Sequence, residues 1–364
     1  MTTTLPAHKP PTTVRYWVLF MLCILAMITY MDRAANGSAK EAIMNDLNKQ
    51  QRVQAEAAGV SVNEAELWTP ADFFWVLIAF QLAYAMFEIP SGWLGDTQGP
   101  RSTLLRVVLW WSLFVALTGF VGTNYLGIYL GFTALVLVQF FFGVGEAGAF
   151  PNIAKALYNW FPATDRGFAK SVVWMAARFM GGLTPLIWVL MTDKRFGDLS
   201  WRGAMWIFAG IAAAWCVGFY LFFRNKPGEH PAVNDEERAQ IDAGRHESHG
   251  PVRVPWGKLV RSRNLWAICF MYVVTNYCWY FLMYFLPGTM RKVFASWNET
   301  TSGTLMLNLL AGCPLLIGMF GCLLGGTLSD RYIRRTGDKK WGRRMFGMIG
   351  YGGGRTLLLR GRRG

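Results

Sequence analysis

Charge is what this chain has least of. Only 16% of its 364 residues are Asp, Glu, Lys or Arg, where a soluble domain carries about a quarter. That shortfall excludes an ordinary water-soluble globule. Histidine is scarce too: His8, His230, His246 and His249 all fall outside the apolar blocks, so no imidazole relays protons inside a membrane. The six cysteines lie within those blocks, with no C-x-x-C and no Cys/His ligand spacing. They read as small packing residues rather than metal or disulfide partners. Neither a nucleophile elbow nor a phosphate-binding loop occurs, which argues against a membrane enzyme and against a bound cofactor. The first fifteen residues are polar and rich in Pro and Thr, without a cleavable signal pattern, so the first apolar block is expected to be retained.

What the chain has instead is 53% hydrophobic and 15% aromatic residues, gathered in long runs. A helix needs about 20 mainly apolar residues to cross a bilayer. Eight blocks meet that length, at 16–37, 72–95, 103–122, 129–149, 167–191, 201–223, 264–287 and 303–328. The expected class is an all-α, multi-pass membrane protein. A net charge of +14 could suit nucleic acid, but its distribution argues otherwise. Basic residues collect in alternate connections: Lys9 and Arg15, Arg101 and Arg106, Arg166 and Lys170, eight in 224–263 and seven in 331–344, while the expected loop 39–70 is acidic on balance. This is the positive-inside pattern, with the N-terminus cytoplasmic. The expected partners are therefore the lipid bilayer and a small solute, with no nucleic acid; oligomeric state is not readable.

The expected organisation is a cytoplasmic N-terminus (1–15), a six-helix bundle (16–223), a charged cytoplasmic linker (224–263) whose NDEERAQID stretch suits a short surface helix, and two helices of a second unit (264–346). Two matching strings support the division. Gly92-Trp-Leu-Gly-Asp96 follows the second block and Gly326-Thr-Leu-Ser-Asp330 follows the eighth. A G-x-L-x-D string repeated six helices apart indicates parallel duplication of a six-helix unit. The tail 347–364 holds seven Gly and four Arg, a composition that does not span a bilayer. It suggests truncation of the second unit after the eighth helix, and the competing expectation is a membrane fragment that transports nothing.

A charge at the bilayer centre costs about 2.5–3.5 kcal/mol on the insertion scale, so embedded charges are functional candidates. Asp32 and Arg33 lie about 17 residues past Arg15, roughly 25 Å along a helix. They either mark its outer end, snorkelling to headgroups, or sit inside. Adjacent residues point about 100° apart, so each needs a partner on another helix. Glu146, within Phe142-Gly-Val-Gly-Glu-Ala-Gly148, is either a proton carrier or half of a fixed ion pair with an arginine. Arg178, about 11 residues into the fifth block, is either an anion site or the neutraliser of Glu146. Glu88 reads as interfacial. Tyr30 and Tyr84 could hydrogen-bond a substrate, though packing is the commoner fate of such residues. Asp96 with Arg101 is placed at the cytoplasmic closure.

At these residues the sequence resembles the major facilitator superfamily and, within it, the anion:cation symporter branch. Gly92-x-Leu94-x-Asp96-x-x-Gly99-x-Arg101 is similar to the superfamily's loop motif. Narrower matches are Tyr30-Met-Asp32-Arg33, Gly143-Val-Gly-Glu146-Ala-Gly148-x-x-Pro151, Trp160-Phe-Pro162 and Glu229-His-Pro231. The resemblance implies the major facilitator fold and alternating access. It implies uptake of organic anions such as hexuronate, glucarate or galactarate across a bacterial inner membrane, driven by protons or, alternatively, sodium. It also implies proton handling at Asp32 and Glu146 and substrate contact at Arg33. The residues themselves place Tyr30, Tyr84 and Arg178 as further candidate substrate contacts and Gly92, Asp96, Gly99, Arg101 and Asp330 as candidate gating residues. One departure is Gln139, where many relatives carry arginine; Arg178 is expected to supply that charge.

Overall fold

The computed structural model describes residues 10–59, 67–69, 71–125, 128–243, 255–338, 340–342, 344–345 and 347–350. Most of the Gly/Arg-rich tail, 351–364, lies outside the described residues. Apart from a two-residue antiparallel ribbon, β1 (Asn124–Tyr125) with β2 (Ile128–Tyr129), the regular structure is helical. Among the described residues eight helical segments are long and apolar enough to cross a membrane.

Helix α1 (Val14–Ala57) runs 44 residues, about 66 Å at the α-helical rise and far beyond a hydrocarbon core. The sequence reading ended this element at Gly37 and placed an acidic loop after it. The chain stays helical because 38–57 holds Ala, Lys, Glu, Gln, Leu and Met but no Gly or Pro; a turn follows at Gly59, whose φ is +69°. Helix α2 (Phe73–Gln98) is followed by Gly99 and α3 (Pro100–Thr118). The fourth block, read as 129–149, holds α4 (Phe132–Glu146), and the helical run continues past its expected end as α5 (Ala149–Trp160), the two together spanning 29 residues. Gly143 faces the backbone of Phe80, Gly145 packs on Trp110 and Trp111, and Gly148 meets Val107 and Ser91. These glycines bring α4 and α5 close to α2 and α3.

Helices α6 (Arg166–Thr192) and α7 (Trp201–Phe222) complete the first bundle, and α8 (Asp235–Asp242) is the short linker helix expected from its charge. After α9 (Trp256–Val260), α10 (Arg263–Tyr284) turns at Phe285 into α11 (Leu286–Val293), and α12 (Thr301–Thr336) follows. Asn234, Ser200, Ser262 and Thr300 each accept the N–H three residues on, so α8, α7, α10 and α12 begin with side-chain caps.

Helix α12 lies antiparallel along the whole of α6. Asp330 meets Gly167, Gly326 meets Ser171, Gly318 meets Arg178 and Gly312 meets Gly182. Arg195, just beyond α6, donates to Thr304 at 2.8 Å. The linker also holds the start of α1. The fully buried Glu237 carboxylate of α8 accepts from Thr12 Oγ1 at 2.6 Å, from Val14 N at 3.2 Å and from Arg15 N at 3.0 Å. An anion at a helix N-terminus satisfies orphan donors and opposes the helix dipole.

Candidate functional site

Helix directions define two ends of the bundle. One carries the start of α1, the end of α2 and the start of α6, with most of the basic residues; the other carries Lys40, Phe73 and Phe285. A cavity of about 770 Å3 runs from mid-bundle toward the basic end. Tyr30 and Arg33 of α1, Gln81, Tyr84 and Glu88 of α2, and Phe150 of α5 line one side. Lys170, Trp174 and Arg178 of α6 and Asn276, Trp279 and Tyr280 of α10 line the other.

Arg33 lines this cavity, and the carboxylate that holds it, Glu146, is fully buried and does not. Arg33 Nε donates to Glu146 Oε1 at 2.7 Å, with both residues buried. Glu146 is the last residue of α4, where the chain breaks before α5. Each group keeps a free atom: Arg33 Nη2 and Glu146 Oε2 are buried without a hydrogen-bond partner. The Arg33 guanidinium rests on aromatic faces, 4.7 Å from Tyr84 and 5.8 Å from Tyr30. Asp32 is buried at 2% exposure, so it does not snorkel at a helix end. Its carboxylate lies beside the Trp111 indole N–H and has no ion-pair partner among the described residues.

The sequence left Arg178 open between an anion site and the neutraliser of Glu146. The structure pairs Glu146 with Arg33, and Arg178 packs its guanidinium 4.7 Å from the Trp279 ring, beside Gly318. Arg178 Nε is buried and unpartnered. Gln139 is not a charge site. Its amide reaches Asn36 Oδ1 at 3.1 Å and so ties α4 to α1. Glu88, read as interfacial, faces the cavity.

An aromatic floor surrounds Tyr30, whose ring makes edge contacts with Phe150, Trp174 and Trp279 at 6.1, 6.3 and 5.7 Å. Sequence reasoning missed Trp174, Trp279 and Lys170. Their signal was present, since Lys170, Trp174 and Arg178 follow one another at four-residue spacing on one helix.

The residues expected to gate lie apart at the basic end. Asp96 pairs with Lys155 at 2.7 Å and not with Arg101. Arg101 donates to the Tyr220 carbonyl and stacks on its ring, and its N–H donates to Asn225 Oδ1 at 2.9 Å. Gly99 has φ +84°, and a β-carbon there would strike Asn225. Gly92 faces Pro151. The Asp330 carboxylate lies against Gly167 in the first turn of α6, where the helix dipole favours an anion.

The opposite end is closed by contacts between α1–α2 and α10–α11. Glu41 meets Arg291 at 3.8 Å. Lys40 Nζ sits 5.3–5.8 Å from the rings of Phe73, Phe74 and Phe285, and Phe74 stacks on Phe285 at 5.2 Å. Just beyond α6, Arg195 binds Asp193 as well as Thr304. Those bonds hold the Asp193 carboxyl at about 2, below the usual carboxylate range.

The family model described as Major Facilitator Superfamily matches residues 22–359. A probable sulfoacetate transporter of Cupriavidus necator is 28% identical over 93% of this chain and 70% of its own length. A probable galactarate/D-glucarate transporter of Escherichia coli is 28% identical over 90% of this chain and 68% of its own. Among solved structures, a bacterial homolog of the human lysosomal transporter Spinster, inward-facing and unoccupied, superposes with TM-score 0.58 at 18% identity, covering 90% of this chain and 64% of the other. The proton:xylose symporter gives TM-score 0.57 at 16% identity, covering 87% and 70%. The chain thus spans about two thirds of the length of these proteins.

Proposed function

The chain belongs to the Major Facilitator Superfamily, and we propose that it serves proton-coupled symport of a small organic anion of the sugar-acid type. It is a multi-pass membrane transporter, not an enzyme. The observation that carries the reading is the buried ion pair between Arg33, which lines the cavity, and Glu146, with one unpartnered atom on each side. While Glu146 is charged, it competes with any substrate carboxylate for Arg33. A proton on Glu146 removes that charge and leaves the guanidinium fork to the anion, which it can bind bidentately. Loss of the proton returns Arg33 to Glu146 and expels the anion. Asp32, buried and close to Glu146, is the second proton site.

Sugar-acid chemistry suits the lining. A carboxylate calls for the arginines, and a hydroxylated chain calls for the amides of Gln81 and Asn276 and the faces of Trp174 and Trp279. Of the two bacterial relatives, one is named for the sugar acids galactarate and D-glucarate and the other for sulfoacetate, a smaller organic anion, so both agree with the organic-anion class. The cavity opens toward one end while Glu41–Arg291 and the ring cage of Lys40 close the other, as alternating access requires of a single state. By the alternation of basic connections the open end is cytoplasmic, in a bacterial inner membrane.

The test is uptake of labelled galactarate and glucuronate into vesicles bearing this chain, with and without an inward proton gradient. Accumulation only with the gradient is expected. Equal uptake under both conditions contradicts proton coupling, and absence of uptake by correctly inserted protein contradicts transport by this chain.

A further inference from the structure

One cation in the cavity has no place in the exchange just described. Lys170 lies on α6 two helical turns before Arg178, about 12 Å along the axis, and Trp174 sits between them on the same cavity wall. Lys170 makes no ion pair among the described residues, although Glu88 lines both the main cavity and the smaller one that adjoins it. At the deep end, Arg33 Nη2 and Arg178 Nε are buried without partners. Gln81 Nε2, also buried and unpartnered, belongs to the same lining. The cavity therefore offers positive charge at two separated places, with polar and aromatic side chains between.

We propose that Lys170 is a specificity-determining residue that receives the second acid group of a six-carbon diacid. The first carboxylate lies at the arginine end, so the site favours a diacid over the monoacid of the same skeleton. This rests on the organic-anion reading above and deepens it. A lysine is suited to the role: its flexible stem carries a point charge that reaches across the cavity mouth. Two acid groups on a two-carbon frame cannot occupy both places, so length as well as charge is selected.

The experiment is calorimetric titration of the purified full chain with galactarate, galactonate and sulfoacetate, for the wild type, Lys170→Gln and Lys170→Arg. The wild type is expected to bind galactarate more tightly than galactonate. Lys170→Gln should weaken galactarate about tenfold or more, the worth of one charge-assisted hydrogen bond, while leaving galactonate and sulfoacetate unchanged. Lys170→Arg should keep the preference. Equal weakening of all three acids by Lys170→Gln would mean general attraction of anions and would overturn the proposal, as would an unchanged galactarate affinity. Binding of none of the acids by folded wild-type protein would instead overturn the organic-anion reading itself, and the proposal with it.

Discussion

At the scale of single residues, the account turns on which carboxylate holds which guanidinium. Asp32 and Arg33 are neighbours in the chain, but the helical turn aims them apart, and Arg33 reaches Glu146 instead. That an external partner was needed was legible in the sequence. Its identity was not, because it depends on how closely the glycines of 143–148 let α4 and α5 approach α2 and α3. The same blindness left Arg178 open between an anion site and the neutraliser of Glu146. Arg33→Ala should weaken binding of galactarate at least tenfold in a titration, the loss of a charged hydrogen-bonding fork. Arg33→Lys should not restore it, because an ammonium cannot reproduce bidentate geometry. Retained affinity in either variant would contradict the role. Asp193 gives a further test. Its carboxyl is held at about 2 by Arg195, so the stability it lends is present above its ordinary value near 4 and is lost only as pH falls through about 2. Asp193→Asn should therefore leave the pH profile of transport between 5 and 8 unshifted, as measured by uptake at stepped pH.

At the scale of elements, the eight crossings were legible from apolar length alone, and the caps at Ser200, Ser262 and Thr300 agree with their ends. The length of α1 was not. Its residues past Gly37 are polar, and a hydropathy reading stops where the membrane stops, although the backbone has no reason to break there. The cost of that misreading was the closed end, since Lys40 and Glu41 had been assigned to a loop. The role of α8 was equally hidden: its acidic run predicts a surface helix, yet Glu237 is fully buried and caps α1 from more than two hundred residues away. Glu237→Ala should strand those donors and cost about 1–3 kcal/mol, read as a lower thermal midpoint, while galactarate affinity stays unchanged. Along α6 and α12, a side chain at Gly182 would meet the Gly312 carbonyl oxygen and Leu316. Gly182→Leu should destabilise by about 1–3 kcal/mol through overpacking, checked by thermal denaturation in detergent.

At the scale of the whole molecule, the repeated G-x-L-x-D strings finish in different surroundings. Asp96 pairs with Lys155, while Asp330 sits at the first turn of α6. The string itself was readable; what each copy touches depends on neighbours that only the packed bundle supplies. The closed end makes alternation testable. Cysteines replacing Glu41 and Arg291, joined by a bifunctional thiol reagent, should abolish uptake and regain it on reduction; uptake that persists in the cross-linked protein would mean this end need not open.

The central claim is that a proton on Glu146 frees Arg33 for the anion. The most direct measurement compares Glu146→Gln with wild type in proteoliposomes, following both counterflow exchange of labelled galactarate and its accumulation under an inward proton gradient. The glutamine keeps the shape and removes the charge, so exchange should continue while accumulation stops. Accumulation that survives the substitution would contradict the account, and loss of exchange together with accumulation in folded protein would make the Arg33–Glu146 pair a structural tie.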